Sequence, residues 1–351
     1  MNNPLKIVTL CSGYDSQCLA LEYLKDELPN FEYELVAWSE IDKNAILAHD
    51  LLFPQYADRN KGDMKCIDWS GIEDFDILFY STPCQDFSIS GYGKGGEEGS
   101  GTRSSLLWYT RNAVLAKMPK VLIMENVKNL LAYSHVDTFD KWIAELASYG
   151  YKTYYRVTNA TDYGVPQDRN RIIAISFLMP DKRFRWPKPN KSYSLLDYID
   201  DTWTDSEEAN DFELFLLDSG QDALDLYTEF AIANGTKPLK DGGEVTFCSR
   251  PSNAANTLTC STNRVTDCLL YGRRYPQTGL MRLRNGEVSL RGLSSRERYR
   301  LMGVRDKDID KLLTISPSAS PHVKLAGNSI VVDVLKHTFK EIITQDIQSL
   351  Y

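Results

Sequence analysis

The stretch DILFYSTPCQDFSISG, Asp76 to Gly91, predicts how the rest of the chain is organised. Its apolar run Ile77–Tyr80 has the length and composition of a buried strand, which Pro83 ends because proline has no N–H for a ladder. Cys84 therefore follows the carboxyl end of a strand, where open α/β sheets bind ligands. A single cysteine is more often a small apolar filler. The polar residues and glycines that follow favour instead a nucleophile beside a loop that closes over a substrate.

The composition is that of a globular protein with enough apolar residues for a large core. The chain has 351 residues, 42% of them hydrophobic, and this length suits two lobes. No apolar run reaches about 18 residues and no charged-then-apolar leader opens the chain, so we expect neither membrane insertion nor secretion. Seven cysteines without C-x-x-C spacing indicate reduced thiols in a cytosol. None of the four histidines is spaced like a metal ligand, so no metal is predicted.

Charge is segregated along the chain, although the net charge is −8. Residues 197–229 contain twelve carboxylates and no lysine or arginine, whereas residues 264–305 contain ten arginines and three carboxylates. Such a chain can present a basic face to nucleic acid despite its acidic total. The alternative is that both runs are ordinary solvated faces.

Apolar strands alternate with amphipathic helices through the first 178 residues. This alternation is typical of an α/β domain with a parallel sheet and helices on both faces. The predicted strands are Leu5–Leu10, Tyr33–Trp38, Ile77–Tyr80, Val121–Met124, Thr153–Val157 and Ile172–Phe177. The predicted helices are Asp15–Leu28, Asp42–Leu52, Ser104–Lys117 and Val136–Ala147. Five residues of possible function lie at or just past strand ends, which predicts a site at that edge of the sheet: Gly13, Glu40, Asp63, Cys84 and Glu125.

The first strand is followed by CSGYDS, which has one glycine where a dinucleotide-binding turn would have G-x-G-x-x-G. Glu40, at the end of the second strand, is placed to accept hydrogen bonds from ribose hydroxyls, and Asp63 could accept one from an adenine amino group. These features favour a nucleoside without a pyrophosphate, and S-adenosylmethionine fits better than NAD. Either carboxylate alone could also be an ordinary surface group.

A domain boundary is predicted after Leu178, where three prolines occur in twelve residues. The following region looks β-rich, with a hairpin signal at Asn285-Gly286 and a capped helix from Leu293 to Met302. Residues Ala326–Ile343 look like a strand-to-helix unit that rejoins the first lobe. We therefore predict a first domain of residues 1–178 and 318–351, a smaller domain of residues 179–292, and a hinge helix with linker at residues 293–317.

Five short strings occur in a fixed order: Pro83-Cys84-Gln85, Glu125-Asn126-Val127, Gln167-Asp168-Arg169-Asn170-Arg171, LSSRERYRLMGV from Leu293, and Gly327-Asn328-Ser329. In this order and at about this spacing the chain resembles the DNA cytosine-5 methyltransferases of bacterial or phage type, from Leu10 to about Leu335 except for residues 179–245. The resemblance implies a Rossmann-like S-adenosylmethionine-dependent catalytic domain with a smaller, β-rich target-recognition domain. It also implies a monomer that methylates double-stranded DNA.

The resemblance implies a covalent mechanism. Cys84 would add to carbon 6 of a cytosine flipped out of the duplex, which makes carbon 5 nucleophilic toward the methyl sulfonium. Glu125 would hydrogen-bond ring nitrogen 3, and Arg171, supported by Arg169, would hold the base and the catalytic loop. The implied DNA contacts are Gln85, Ser88, Thr257, Arg273 and Arg274.

The resemblance also implies the cofactor site, with S-adenosylhomocysteine as product. Its residues are Leu10, Cys11, Gly13, Glu40, Ile41, Asp63, Met64, Pro83, Leu106, Asn328 and Ser329. Two positions depart from the family, which usually has a phenylalanine at Cys11 and a second glycine at Asp15. A further departure is Arg103-Ser104-Ser105-Leu106, where the family usually has glycine after the arginine. None of the three removes a catalytic group.

Three other functions are weaker alternatives. A tRNA cytosine-5 methyltransferase of the same fold would carry a Cys-Phe-Thr string, which the recognition lobe lacks. A non-enzymatic DNA-binding relative would not need Cys84, Glu125 and both arginines together. A dehydrogenase would need the missing glycines. The sequence leaves open the DNA target and whether the chain has a cognate restriction endonuclease, acts alone or is phage-encoded.

Overall fold

The structure is a computed structural model that describes residues 4–82, 103–180, 183–190, 192–193, 195–198, 213–216, 255–256, 279–284 and 287–345. The chain forms two compact units. The first unit consists of Met1–Asn159, Asn170–Pro189 and Ser329–Tyr351, and the second consists of Ala160–Arg169 and Asn190–Asn328. The domain boundaries expected from the sequence stay a prediction.

The described strands, in chain order, are β1 Leu5–Leu10, β2 Tyr33–Ser39, β3 Ile77–Tyr80, β4 Val121–Val127, β5 Tyr151–Asn159, β6 Gln167–Asp168, β7 Asn170–Leu178, β8 Glu213–Leu216, β9 Ala255–Asn256, β10 Gly279–Arg284 and β11 Glu287–Gly292. The described helices are α1 Ser16–Leu24, α2 Lys43–Leu52, α3 Thr110–Lys117, α4 Val136–Ser148, α5 Ser295–Arg300, α6 Asp306–Leu313, α7 Ala319–Asn328 and α8 Val332–Gln345. All six strands predicted for the first domain are present, with bounds that differ by at most a few residues.

The first unit contains a six-stranded sheet in the order β2-β1-β3-β4-β7-β5. Five strands are parallel to one another, but β7 is antiparallel to both of its neighbours, so the expectation of an all-parallel sheet is wrong for this strand. Only ten residues, 160–169, separate β5 from β7. A parallel crossover needs about a dozen residues or more, so the chain folds back antiparallel.

The core of the first unit lies against both faces of this sheet. All four residues of β3 and the first six of β4 are buried, as expected for strands covered on both sides. Helix α8 packs against α1. In the predicted strand-to-helix unit at Ala326–Ile343 the helix is confirmed as α8, but the strand is wrong. α7 and α8 are joined by Ser329 and the short buried run Ile330–Val331. A short apolar run of this kind fits a strand and a buried helical segment equally well.

Two other predicted helices are shorter than expected. α1 ends at Leu24 rather than Leu28. The predicted helix Ser104–Lys117 is divided into a 3₁₀ helix, Arg103–Tyr109, and α3. Helix α2 matches its prediction, and Asp42 caps it by accepting the N–H groups of Asn44 and Ala45.

The second unit contains an antiparallel sheet of three strands in the order β11-β10-β8, and a short parallel pair of β6 and β9. Arg284 of β10 pairs with Glu287 of β11, so the predicted hairpin is confirmed. The predicted helix cap is also confirmed, because Ser294 and Glu297 form a reciprocal capping box at the start of α5. Within the described parts of the chain, no helix is long and apolar enough to cross a membrane.

Candidate active site

Glu125 and Ser81 meet at the carboxyl edge of the sheet. β3 and β4 are parallel neighbours in which Tyr80 pairs with Met124, so the residues that follow each of them lie side by side. The Ser81 hydroxyl donates a hydrogen bond of 2.7 Å to Oε2 of Glu125. The Glu125 residue is only 5% exposed. A buried carboxyl held in this way has a defined direction at the mouth of the sheet.

Arg171 reaches the same carboxyl from β7. The antiparallel register places Arg171 opposite Val127, two residues beyond Glu125. Its Nε lies 3.1 Å from Oε1 of Glu125, while its Nη1 donates to the backbone carbonyl of Asn170 at 2.8 Å. Each carboxyl oxygen of Glu125 therefore has its own donor. The two residues expected to act on a base are brought together, with charge-assisted bonding to fix their geometry.

Asn126 anchors the segment that leads to Cys84. Its Nδ2 donates to the carbonyl of Thr82 at 3.2 Å, and its Oδ1 accepts the N–H of Val127 at 2.9 Å. The sequence reasoning assigned no role to Asn126 or Ser81, although both lie inside the strings Glu125-Asn126-Val127 and Ser81-Thr82-Pro83-Cys84. A polar residue next to Glu125 in one string and just before Cys84 in the other is the signal that could have identified them.

Seven predicted site residues lie outside the described parts of the chain. They are Cys84, Pro83, Gln85, Ser88, Thr257, Arg273 and Arg274. Their roles stay predictions.

In the second unit, Arg169 and Gln167 join three of the strings quoted above. Arg169 is buried, and its Nη2 donates to the carbonyl of Gly327 at 3.0 Å. Nε2 of Gln167 donates to the carbonyl of Leu301 at 2.6 Å. Arg169 thus supports the backbone next to Asn328, an exposed residue at the end of α7, rather than pointing freely into solvent.

The turn after β1 and the end of β2 are joined through Glu40. Oε2 of Glu40 accepts the N–H of Gly13 at 2.9 Å, and Oε1 accepts the N–H groups of Ile41 and Asp42, each at 2.8 Å. Gly13 has a φ of +60°, which favours glycine. The carboxylate is only half-buried, so it can also accept bonds from a ligand's hydroxyls.

Cys11, Met64 and the two predicted nucleoside carboxylates lie in one place. The Cys11 sulfur is 3.5 Å from the Met64 sulfur. Burial, together with the negative charges of Glu40 and Asp63, raises the pKa of the Cys11 thiol to about 12. The thiol therefore stays neutral and is a poor nucleophile. The same two charges make the site attractive to a positively charged ligand.

The surroundings of these carboxylates suit the flat apolar face of a base. Ile41, next to Glu40, is 68% exposed, so its aliphatic side chain is available to a ligand. Leu106 is half-buried and packs on the core, whereas Leu10 is fully buried in β1. The two carboxylates can accept hydrogen bonds from the hydroxyl and amino groups of a ligand. Together with the exposed apolar side chain, their negative charge fits a cationic nucleoside. S-adenosylmethionine has this chemistry.

Ser329 contacts the same turn through a residue that the sequence reasoning missed. The hydroxyls of Tyr14 and Ser329 are hydrogen-bonded at 2.6 Å, and both residues are buried. Tyr14 lies between Gly13 and Asp15 in CSGYDS, and nothing in that string predicts a partner 315 residues away. Ser329 therefore positions the turn.

Comparisons with known proteins identify the family. The family model described as C-5 cytosine-specific DNA methylase matches residues 5–344. The type II methyltransferase M2.ScrFI of Lactococcus lactis subsp. cremoris is 36% identical over 294 residues, which are 84% of this chain and 73% of the relative. The type II methyltransferase M.HhaI of Haemophilus parahaemolyticus is 30% identical over 337 residues, which are 95% of this chain and 92% of the relative. Among solved structures, the Entamoeba histolytica methyltransferase EhMeth has a TM-score of 0.67 at 15% identity, covering 98% of this chain and 99% of that one, a likeness of fold.

Proposed function

The chain belongs to the family of C-5 cytosine-specific DNA methylases, and we propose that it carries out cytosine-5 methylation with Cys84 as nucleophile and the Glu125–Arg171 pair at the base. The activity is that of a DNA cytosine-5 methyltransferase, and DNA is its substrate. Methyltransferases of this family and fold use S-adenosylmethionine. The observation that carries the residue assignment is the buried Glu125 carboxyl, held by Ser81 on one oxygen and by Arg171 on the other.

In the proposed mechanism the target cytosine leaves the duplex before any bond changes. The Cys84 thiolate adds to carbon 6, and the electron pair of the 5,6 double bond moves toward carbon 5 and the ring. Glu125 hydrogen-bonds nitrogen 3 and so stabilises the ring electrons as they shift. After methyl transfer, loss of the carbon 5 proton expels the thiolate and restores the ring.

Ser81 is a positioning group in this mechanism, and Arg171, which we propose holds the base, also positions Glu125. With both oxygens of Glu125 held, the carboxyl does not rotate away when a base enters, which saves the cost of ordering it at each turnover. Asn126 does the same for the backbone at Thr82, two residues before Cys84. Arg169 supports the Gly327 backbone, beside Asn328.

The proposed cofactor site combines Gly13 and Glu40 at the ribose, Asp63 at the adenine amino group, and Ile41 and Leu106 at the base. Cys11, Met64, Leu10, Pro83, Asn328 and Ser329 complete it. S-adenosylmethionine, when bound there, supplies the methyl group as an electrophile and leaves as S-adenosylhomocysteine. Three carboxylate-to-backbone bonds hold Glu40 in place for the ribose before the cofactor arrives.

We further propose that residues 1–178 and 318–351 form the catalytic domain, that residues 179–292 recognise the duplex, and that residues 293–317 form the hinge. Gln85, Ser88, Thr257, Arg273 and Arg274 would contact the DNA. The enzyme would act as a monomer in a bacterial cytoplasm or nucleoid. If it serves a restriction-modification system, a cognate endonuclease would share its target.

Labelled methyl transfer tests the proposal. Purified protein is incubated with methyl-labelled S-adenosylmethionine and duplex DNA of mixed sequence, and the modified base is identified. We expect label on carbon 5 of cytosine, lost in Cys84→Ser and retained in Cys66→Ser, a matched change at an exposed cysteine. Label on adenine, or on RNA alone, would contradict it. Bisulfite sequencing of plasmid DNA from cells that express the chain then reports the target sequence.

A further inference from the structure

The turn between β1 and α1 holds a buried carboxyl that the proposed chemistry does not use. Asp15 is fully buried and adopts a left-handed conformation with a φ of 65°, at the position where the family usually has glycine. Its Oδ1 accepts the N–H of Cys18 at 3.1 Å, and its Oδ2 accepts the Thr9 hydroxyl at 2.9 Å. These bonds cap α1 and tie it to β1. Asp15 therefore fixes the turn that carries Gly13.

The ring of His49, on α2, lies beside this carboxyl. It is fully buried and stacks on Trp38 with 3.6 Å between ring centres. Its Nε2 lies 3.7 Å from Oδ2 of Asp15, and its Nδ1 lies 3.5 Å from Oδ1 of Asp50, whose side chain is 36% exposed. Among the residues that the structure describes, neither ring nitrogen finds a hydrogen-bond partner. The ring thus separates a buried carboxyl from one that is partly exposed.

When both carboxyls are ionised, the group formed by Asp15, His49 and Asp50 has one hydrogen-bond donor too few for its two carboxylates. A neutral imidazole has one N–H, so it can donate to Asp15 or to Asp50 but not to both. Its other nitrogen then directs a lone pair at a carboxylate oxygen, which is costly in a dry interior. Burial raises the pKa of Asp15 to about 6 and lowers that of His49 to about 3. An added proton therefore resides on Asp15, whose Oδ2 faces Nε2 of His49 at 3.7 Å.

We propose that Asp15 releases this proton when positively charged S-adenosylmethionine binds the turn and regains it when neutral S-adenosylhomocysteine forms, so that the turn favours substrate over product. The inference rests on the proposed function, because it needs Gly13 and Glu40 to hold the cofactor. A nearby positive charge stabilises an ionised carboxyl. The proton moves from Oδ2 of Asp15 to Nε2 of His49. The Nδ1–H group of His49 then gives its proton to Asp50, and Asp50 releases a proton to water. No other bond changes.

The other titratable groups around Asp15 do not supply or take this proton. Burial raises the pKa of the neighbouring Cys18 thiol well above its ordinary value, so it stays neutral. Burial also raises the pKa of Asp50, but its partial exposure lets it exchange protons with solvent. The charged groups of β1, α1 and α8 pair elsewhere: Lys6 with Glu73, Glu22 with Lys25 and Tyr33, Asp333 with Lys336, and Glu27 with Lys336 and Lys340. His337 of α8 lies among the last of these, and burial lowers its pKa.

Calorimetry of the two ligands without DNA tests the inference. Binding is measured near pH 6 in two buffers with different ionisation enthalpies, which reports the protons released on binding. The amino and carboxyl groups of both ligands keep their ionisation at this pH, so they add nothing to the difference. We expect S-adenosylmethionine to release a fraction of a proton and S-adenosylhomocysteine to release none. Asp15→Asn should remove the difference, and Asp68→Asn, the same change at an exposed capping carboxyl, should retain it.

The ratio of the affinities for S-adenosylmethionine and S-adenosylhomocysteine gives a second readout. If the bound sulfonium lowers the pKa of Asp15 by one unit, the preference for S-adenosylmethionine should fall by about threefold between pH 7.5 and pH 5.5. Equal proton release by both ligands, or release that persists in Asp15→Asn, would overturn the inference and leave the proposed function standing. Wild-type protein that binds neither ligand would overturn both. Should Asp15→Asn fail to fold, the wild-type comparison of the two ligands still decides.

Discussion

Two regions at the carboxyl edge of one sheet are built in different ways. At the base-facing region, Glu125 is fixed by a hydroxyl and a guanidinium, and all of its quoted residues match the family strings. At the cofactor turn, Cys11 and Asp15 depart from the family, yet Gly13 still bonds Glu40. Under the proposed mechanism the first region tolerates little change, because its atoms would touch the reacting base. The second can exchange residues as long as the turn keeps its shape.

Removing the proposed nucleophile should distinguish most clearly between the two regions, because it should affect catalysis and leave cofactor binding intact. Cys84→Ser should lower kcat by at least about 10⁴-fold, because a hydroxyl is a far weaker nucleophile than a thiolate. Its Kd for S-adenosylmethionine should stay within about twofold of wild type, because in the proposed site Glu40 and Asp63, not Cys84, hold the nucleoside. Single-turnover methylation and calorimetry measure the two quantities. A large loss of cofactor affinity would mean that the regions are not separable.

A smaller loss is expected at the base-facing carboxyl. Glu125→Gln keeps an acceptor for Ser81 but loses the ion pair with Arg171, so kcat should fall by about 10²- to 10³-fold. Glu73→Gln removes a carboxylate that pairs with Lys6 and should leave kcat unchanged. Equal rates for wild type and Glu125→Gln would show that Glu125 does not act on the base.

A change at the cofactor turn should alter the stability of the fold rather than the rate of methylation. Burial raises the pKa of Asp15 to about 6 in the folded protein, so its contribution to stability is present at low pH and is lost as pH rises through 6. His49 has the opposite sign, because its lowered pKa removes stability as pH falls toward 3. Between pH 5 and pH 7.5, Asp15 should cost the wild type about 1 kcal/mol that Asp15→Asn does not lose. Urea unfolding at both pH values checks this, and an unchanged pH dependence in Asp15→Asn would contradict it.

The smallest expected effect concerns the two charge blocks. Arg273→Ala with Arg274→Ala should flatten the slope of log affinity for DNA against log salt by roughly 0.9 per lost phosphate contact, or relax sequence choice if one arginine reads a guanine. Changing Asp205, Glu207 and Glu208 to their amides is the matched control. This control should change neither the salt dependence nor the sequence choice, and should only raise the affinity slightly and uniformly. An arginine pair without effect would locate the DNA surface elsewhere.

Much of the fold was predictable because buried strands have a simple signature. Ile77–Tyr80 and Val121–Met124 are continuous apolar runs, and both are central strands of the sheet. The reversed direction of β7 was not predicted, because it depends on the short connection after β5 rather than on the strand's own residues. The strand predicted around Ile330–Val331 is absent for a related reason, since an apolar, buried run can be either a strand or a link between helices.

The candidate site could be proposed from the sequence as a set of residues but not as a set of contacts. Glu125 and Arg171 follow from the family strings, whereas their 3.1 Å separation follows from the antiparallel register of β4 and β7. Asp15 could be recognised only as a departure from the family. Its contact with His49 depends on how α2 packs, which no local pattern in the sequence records.

The measurement that tests the central claim most directly is covalent trapping on duplex DNA with 5-fluorocytosine at the target position. Fluorine at carbon 5 cannot leave as a proton does, so the enzyme should remain bound through sulfur after methyl transfer. We predict a denaturant-resistant adduct that depends on S-adenosylmethionine and maps by mass spectrometry to Cys84. An adduct on another cysteine, or one formed equally by Cys84→Ser, would contradict the account.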